Sequence, residues 1–249
     1  MALFITERMR SGFSRFREEE KLEYEGGLLK TYLVEANLDG SRTGMHDAVA
    51  SLLQCSVPGA SVHPTDEEAL VVFSAPRRRS RQRDTYYLDV QDPRYWMLHT
   101  LALARDSDDL VRKWISGNSR LDSAWFPMQF LDSIRRLGQF KGYGGRFSNE
   151  PFERDEDKQH KVSMKLWGDL AAEVLAVLVR TKPLDKMFCL SSVRLKSTLE
   201  DEAFVVDDIG YSGKVTAMGD SYVSHIDLVT RVFRRQYRDI ISGILEQQY

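Results

Sequence analysis

Arginine is concentrated in one short segment of the sequence. Five of the seven residues from Arg77 to Arg83 are arginines, and no apolar residue interrupts them. Guanidinium groups bind phosphate and carboxylate oxygens through paired N–H donors, so a loop of this composition can follow a nucleic-acid backbone. The alternative interpretation is a solvated loop that protects a neighbouring strand edge from aggregation. The candidate binding residues of this segment are Arg77, Arg78, Arg79, Arg81 and Arg83.

Two further basic regions lie in the second half of the sequence. One is a glycine-rich segment that combines cationic and aromatic side chains, which suits stacking on bases or anchoring a protein partner. The other is the last predicted helix, whose arginines are spaced away from its apolar stripe, so we expect an exposed basic face. The candidate binding residues of these regions are Lys141, Tyr143, Arg146, Phe147, Arg231, Arg234, Arg235 and Arg238.

The glycine clusters do not match known phosphate-binding loops. The sequence has no GxxxxGK run followed by serine or threonine, and residues 142–145 lack the spacing of a dinucleotide-binding fingerprint. We interpret residues 138–151 as an irregular connection in which glycine supplies positive φ. Residues 219–221 share three letters with a lipase nucleophile block, but only 28 residues follow Ser221, all in one predicted helix. Asp220 or Ser221 is therefore expected to cap that helix.

Histidine and cysteine are not spaced like metal ligands. No two of the five histidines are four residues apart, and Cys55 and Cys189 are separated by 134 positions. We therefore expect no bound metal and no other cofactor. The five histidines are His46, His63, His99, His160 and His225.

Carboxylates support one enzymatic alternative, a metal-dependent phosphodiesterase or nuclease whose site is assembled from distant residues. Glu156 to Lys158 has the Glu-x-Lys form with which some nucleases hold Mg²⁺, but it lies in a charged segment typical of a solvated turn. Asp207 and Asp208, at a predicted strand end, are the other candidates for holding the ion. The acidic cluster itself consists of Glu153, Asp155, Glu156 and Asp157.

The composition is that of a folded chain with an ordinary charge balance. Hydrophobic residues make up 42% and charged residues 29% of the 249 positions, and the formal net charge is -2. This balance argues against a protein that coats nucleic acid by bulk charge, although it is compatible with local basic patches. Two cysteines favour a reducing compartment. Since no apolar run reaches 18 residues and no signal peptide begins the sequence, we expect a cytoplasmic protein without membrane contact.

Hydrophobic periodicity predicts an α+β fold with a mixed or largely antiparallel sheet, packed helices and a long C-terminal helix. The late strands form a predicted hairpin around residues 210–213, which disfavours a doubly wound parallel sheet. Predicted helices cover residues 2–21, 43–54, 107–116, 123–137, 168–179 and 221–247. Predicted strands cover residues 28–36, 68–74, 85–90, 161–167, 188–196, 204–209 and 214–218, and the type of 95–103 stays open.

The arginine-rich segment also marks the candidate domain boundary. We predict a small α/β lobe over residues 1–75, a linker or loop over 76–84 and a larger α+β lobe over 85–249. Functionally, the sequence favours a non-catalytic interaction component of a larger assembly that contacts nucleic acid or an acidic protein surface. A purely structural oligomer subunit, with Trp114, Trp125 and Phe126 covering a partner, is the remaining alternative. The residues alone do not identify a family.

Overall fold

The computed structural model of the protein describes residues 1–19, 28–38, 44–78, 80–147, 162–168, 170–182, 188–198 and 203–245. Six helices are described. They are α1 (Ala2–Glu19), α2 (Met45–Ser56), α3 (Ala104–Ser116), α4 (Met128–Ile134), α5 (Ala171–Leu178) and α6 (Tyr222–Thr230). A 3₁₀ turn at Arg135–Leu137 extends α4. The C-terminal helix continues from α6 to Leu245 with wider π-helical turns over Arg231–Tyr237 and Ile241–Leu245.

Within the described residues, eleven strands form one antiparallel sheet. They are β1 (Leu29–Ala36), β2 (Ser61–His63), β3 (Leu70–Pro76), β4 (Arg83–Asp89), β5 (Tyr95–Thr100), β6 (Leu121–Ser123), β7 (Gln139–Phe147), β8 (Val162–Trp167), β9 (Phe188–Thr198), β10 (Phe204–Gly210) and β11 (Lys214–Gly219). Their spatial order is β2-β3-β4-β5-β1-β11-β10-β9-β7-β8. The predicted α+β fold, with a largely antiparallel sheet and a long C-terminal helix, is confirmed.

Strand β1 lies at the centre of the sheet and pairs with two different strands along one of its edges. Its first half pairs with β11, and its second half, from Val34 to Ala36, pairs with β6. The other edge pairs with β5 along nearly the whole strand. All eight residues of β1 are buried, including the polar side chains of Lys30, Thr31 and Glu35, and each of these three has a hydrogen-bond partner inside the protein.

Two helical layers cover different parts of the sheet. Helices α2 and α3 cover one face of the first half, where Phe73, Trp96 and Trp114 form the centre of a core. Helices α4, α5 and the C-terminal helix cover the opposite face, against side chains that include Phe130 and Phe233. Helix α1 joins this second layer through Ile5 and Met9, which contact Leu29, Val205, Ala217 and Tyr222.

Helix α6 begins where the sequence predicts its cap. The backbone N–H of Ser224 donates to Ser221 Oγ at 3.2 Å, and so one of the free N–H groups of the first turn is satisfied. Tyr222, Val229, Phe233 and Tyr237 from the predicted stripe are buried. The capping interpretation of Ser221 is therefore confirmed. In the described part of the chain, no helix is both long and apolar enough to cross a membrane.

The predicted boundary segment forms the turn of a hairpin. Residues 77–82 connect β3 to β4, and Pro76 pairs with Arg83 in the register of the two strands. The sheet continues through this hairpin, since β1 from the first part pairs with β5 and β11 from the second. The division into two lobes stays a prediction.

The irregular connection predicted over residues 138–151 is wrong for the residues that the structure describes. Gln139 to Phe147 is strand β7, which pairs in regular register with β8 and through two irregularities in register with β9. Glycine obscured the strand pattern, because it removes the side chains whose alternation reveals a strand. Residues 148–151 lie outside the described residues.

Candidate functional site

The arginines of the β3–β4 hairpin are partly engaged within the protein. Arg77 makes two hydrogen bonds to Asp84, at 2.6 and 3.2 Å, and these bonds raise the pKa of Arg77. Arg83 donates to the carbonyl oxygens of Gly59 and Ser74. Arg78 and Arg81 are exposed, and Arg79 lies outside the described residues. The hairpin therefore offers two described arginines to a partner rather than five.

The basic face predicted for the C-terminal helix is wrong at Arg234. This side chain is buried and forms hydrogen bonds with both carboxylate oxygens of Asp89, at 2.8 and 3.0 Å. Arg231 pairs with Asp227 and Arg238 with Asp92, which leaves Arg235 as the exposed member of the set without an ion pair among the described residues. Arginines that face solvent on a helical wheel can still reach a carboxylate on a neighbouring element.

The hairpin and the helix arginines lie at opposite ends of strand β4. The hairpin turn ends at Arg83, the first residue of β4, whereas Arg234 binds Asp89, the last residue of the same strand. These two basic regions predicted from the sequence therefore do not converge on one surface.

The predicted cluster on the glycine-rich segment divides between the two faces of β7. Tyr143 is buried in the core beneath α4 and α5, and burial raises the pKa of its phenol. Arg146 is exposed, and its guanidinium group lies 4.9 Å from the ring centre of Tyr211. Lys141 is half-buried, and the side chain of Phe147 is outside the described residues. Tyr143 is thus a core residue, whereas Arg146 belongs to a surface.

Arg146 lies on a surface of the sheet that we call the open face. The open face is the side of strands β7 to β11 that is opposite to α4, α5 and the C-terminal helix. The core side chains of these strands, such as Val193, Val205 and Val215, point to the helical side. None of the described residues of β7 to β11 belongs to the core under α2 and α3. The open face carries Arg146, Lys165, Trp167, Arg194, Lys196, Phe204, Asp208 and Lys214, and Tyr211 lies at its margin.

Cations on the open face are paired with aromatic rings. Arg194 stacks on Trp167 with its guanidinium carbon 3.6 Å from the ring centre, and Lys196 Nζ lies 4.7 Å from the ring centre of Phe204. Together with Arg146 and Tyr211, three cation–aromatic pairs share this face. Such pairs attach a flexible cationic side chain to a ring and hold it in place.

Carboxylates on this face neutralise only part of its charge. Asp208 accepts from Arg194 at 3.2 Å and lies 3.9 Å from Lys165, while Asp108 of α3 accepts from Lys214 at 2.6 Å. Arg146, Lys165, Arg194, Lys196 and Lys214 thus face these two carboxylates. Among the residues that the structure describes, positive charges on this face therefore outnumber the carboxylates.

Two glycines of β7 form the floor of the open face. A Cβ atom at Gly142 would lie 2.3 Å from the carbonyl oxygen of Leu166 and 2.7 Å from Trp167. A Cβ atom at Gly144 would lie 2.7 Å from the hydroxyl of Ser192. Glycine at position 142 is therefore required for the close approach of β8, including the Trp167 side chain, to β7.

The two aspartates considered as metal ligands point to opposite faces of β10, because successive side chains of a strand alternate. Asp208 lies on the open face, whereas Asp207 is fully buried. The pair therefore cannot hold one ion together. The acidic cluster from Glu153 to Asp157 lies outside the described residues, and within them no group of three or more His, Cys, Asp or Glu side chains could hold a metal.

Asp207 belongs to a buried polar network that sequence spacing does not reveal. Its Oδ1 accepts from Nδ1 of His225 at 2.6 Å, and Nε2 of His225 lies 2.7 Å from the hydroxyl of Thr31. The same hydroxyl lies 2.8 Å from Nδ1 of His99. All four side chains are fully buried under α6.

The environment of this network keeps His99 neutral. Burial lowers the pKa of His99 well below its ordinary value, and His225 and Arg234 lower it further. A carboxylate oxygen accepts hydrogen bonds, so the Nδ1–H group of His225 is the donor of the hydrogen bond to Asp207. The network links β1, β5, β10 and α6 inside the protein and cannot reach a ligand in this structure.

The three aromatic residues considered for an oligomer interface differ in their exposure. Trp114 and Phe126 are buried in the protein's own cores, whereas Trp125 is 60% exposed and contacts Tyr211 edge to face at 4.8 Å. Only Trp125 is therefore available to a partner, and it lies next to the margin of the open face.

Sequence reasoning missed most of the open face, including Lys165, Trp167, Arg194 and Lys196. The alternation of Arg194 and Lys196 with Val193 and Leu195 in β9 is a usable signal for a half-buried strand. It does not tell which strands share the exposed face with β9, because that depends on strand order.

Comparison with known proteins identifies one family. The model of the MJECL33-like protein family matches residues 1–249. The chain belongs to this family. It is 22% identical over 277 aligned positions to the uncharacterized protein MJECL33 of Methanocaldococcus jannaschii, and the alignment covers 95% of this chain. The chain spans 64% of the length of that relative.

Proposed function

We propose that this protein is an interaction component of a larger assembly and that it binds an anionic macromolecule across its open face. The observation that carries the proposal is that cationic and aromatic side chains from five strands share one surface. Among the described residues, five cations face two carboxylates there, so a negatively charged partner gains ion pairs on contact. The arginine-rich hairpin is less suited, because Arg77 and Arg83 are already engaged by protein oxygens.

The role in an assembly is supported by an apolar surface on the opposite side of the sheet. Helix α5 exposes Val174 and Val177, and Leu170 just before it is 72% exposed. A cavity of about 470 Å³ lies between α4, α5 and β9 and is lined by Leu175, Phe188 and other residues. A contiguous apolar surface on a folded protein favours contact with another protein.

A titration with labelled polyanions tests the proposal. Fluorescence anisotropy would follow a 12-nucleotide single strand, its duplex and polyglutamate at 50 and 200 mM salt. We expect binding that weakens with salt, with a logarithmic slope of up to about -3.5 for a single strand if all five cations contact it. If no polyanion binds at 50 mM salt, the proposal is wrong.

A matched pair of double variants locates the contact. Lys165→Gln with Lys196→Gln removes two charges from the open face, and Arg78→Gln with Arg81→Gln removes two from the hairpin. We expect the first pair to weaken binding and to reduce the salt slope by about 1.4. The second pair should leave both unchanged, and the opposite result would place the contact on the hairpin.

A further inference from the structure

We infer that the partner of the open face is a single-stranded nucleic acid whose bases stack on Trp167 and Phe204. This inference rests on the proposed function. Each of the two rings has a cation over it, at 3.6 and 4.7 Å from the ring centre. A nucleotide presents the matching combination, because each base has a flat π surface and each phosphate carries one negative charge.

The rings are placed for separate bases. Trp167 on β8 and Phe204 on β10 are three strand spacings apart, about 14 Å across the sheet at about 4.8 Å per strand. The rings therefore do not stack on one another. Trp167 is 51% exposed with Arg194 against it, so part of the ring surface is accessible to a base.

The width of the open face disfavours a duplex. Five adjacent strands span about 19 Å, whereas the major groove of B-DNA is about 12 Å wide and admits a helix or a two-stranded ribbon. On a duplex the bases are stacked on each other and are inaccessible to rings on a flat sheet. Only unpaired bases can be splayed out and stacked on aromatic side chains.

An acidic peptide would use the cations of this face but not its rings. Carboxylates have no π surface, so Trp167 and Phe204 would contribute only apolar contact to such a partner. Gly142 indicates that the position of Trp167 is built into the sheet, since any side chain there would displace the ring. Removal of the ring therefore distinguishes the two kinds of partner.

The test compares Trp167→Leu with a control at another cation–aromatic pair. Phe4 on α1 is 47% exposed, and the guanidinium carbon of Arg8 lies 5.6 Å from its ring centre, so Phe4→Leu removes a comparable ring away from the open face. The probes are a labelled thymidine 12-mer, a 12-base-pair duplex and polyglutamate. We expect Trp167→Leu to weaken binding of the 12-mer about tenfold, with an unchanged salt slope.

Further variants show whether weaker binding comes from loss of the ring or from loss of the folded structure. Trp167→Phe should retain most of the affinity for the 12-mer, because it keeps a ring at the same position. Phe4→Leu should bind all three probes like the unmodified protein. Equal thermal midpoints of the four proteins show that the fold is intact.

Two results would overturn the inference in different ways. If duplex or polyglutamate binds as well as the 12-mer and Trp167→Leu has no effect on binding, the open face binds polyanions by charge and does not stack bases. The proposed function then stands while this inference fails. If none of the three probes binds at low salt, both fail together.

Discussion

Replacement of His225 by leucine should destabilise the protein by about 3 to 5 kcal/mol at neutral pH. His225 is fully buried and is the hydrogen-bond partner of Asp207, at 2.6 Å. Leucine has a similar volume but no donor, so the carboxylate of Asp207 would lose this bond inside the protein. The other oxygen, Oδ2, has no hydrogen-bond partner among the described residues and cannot compensate.

The size of the effect should depend on whether the carboxylate remains. Removal of both partners, as in His225→Leu with Asp207→Val, leaves no buried charge and should cost less than His225→Leu alone.

Urea unfolding followed by circular dichroism at pH 7 measures these differences. The linear dependence of the unfolding free energy on urea gives a value for each variant. A cost of His225→Leu below about 1 kcal/mol at pH 7, or a double variant less stable than the single one, would contradict a charged Asp207 held by His225. The thermal midpoint of a conservative Thr31→Val variant provides an independent check, because it removes only the hydroxyl that joins the two histidines.

Two further predictions follow from buried groups. Arg234→Met should lower the unfolding free energy by about 3 kcal/mol or more, because it leaves the carboxylate of Asp89 without its partner. Arg235→Met, at an exposed position of the same helix, should leave the urea midpoint unchanged. Equal urea midpoints of the two variants would show that the buried pair does not stabilise the fold. His99 has a lowered pKa in the folded protein, so the unfolded state binds more protons below about pH 6.5, and stability should fall with acidification by up to about 1.4 kcal/mol per pH unit. Urea midpoints between pH 7.5 and 5.5 test this, and an unchanged slope in His99→Phe would exclude His99 as the cause.

Most elements of the fold could be predicted from local sequence patterns. The stripe from Tyr222 to Tyr237 predicts the C-terminal helix, and residues 28–36 are predicted as a strand where the structure has β1. Strand β7 was missed, because its glycines remove the alternation on which strand prediction depends. The failure coincides with the floor of the open face, where glycine is needed for close packing against Trp167.

The candidate site was only partly predictable for a different reason. The sequence shows where arginines cluster, but not which of them meet an acid at long range. Arg234 and Asp89 are 145 positions apart, and Arg194 meets Trp167 only through the pairing of β8, β7 and β9. Long-range pairing depends on strand order, which hydrophobic periodicity does not encode.

The basic segment from Arg77 to Arg83 shows this division most clearly. The sequence by itself determined that these residues form a polar connection between two strands, because a run of arginines cannot face a core. It also determined the α+β class, through the periods of its apolar residues. Only the tertiary structure decided that Arg77 and Arg83 bind protein oxygens, and that the accessible cations and rings lie on another surface. Charge and periodicity are local properties of a chain, whereas exposure and pairing are properties of the folded sheet.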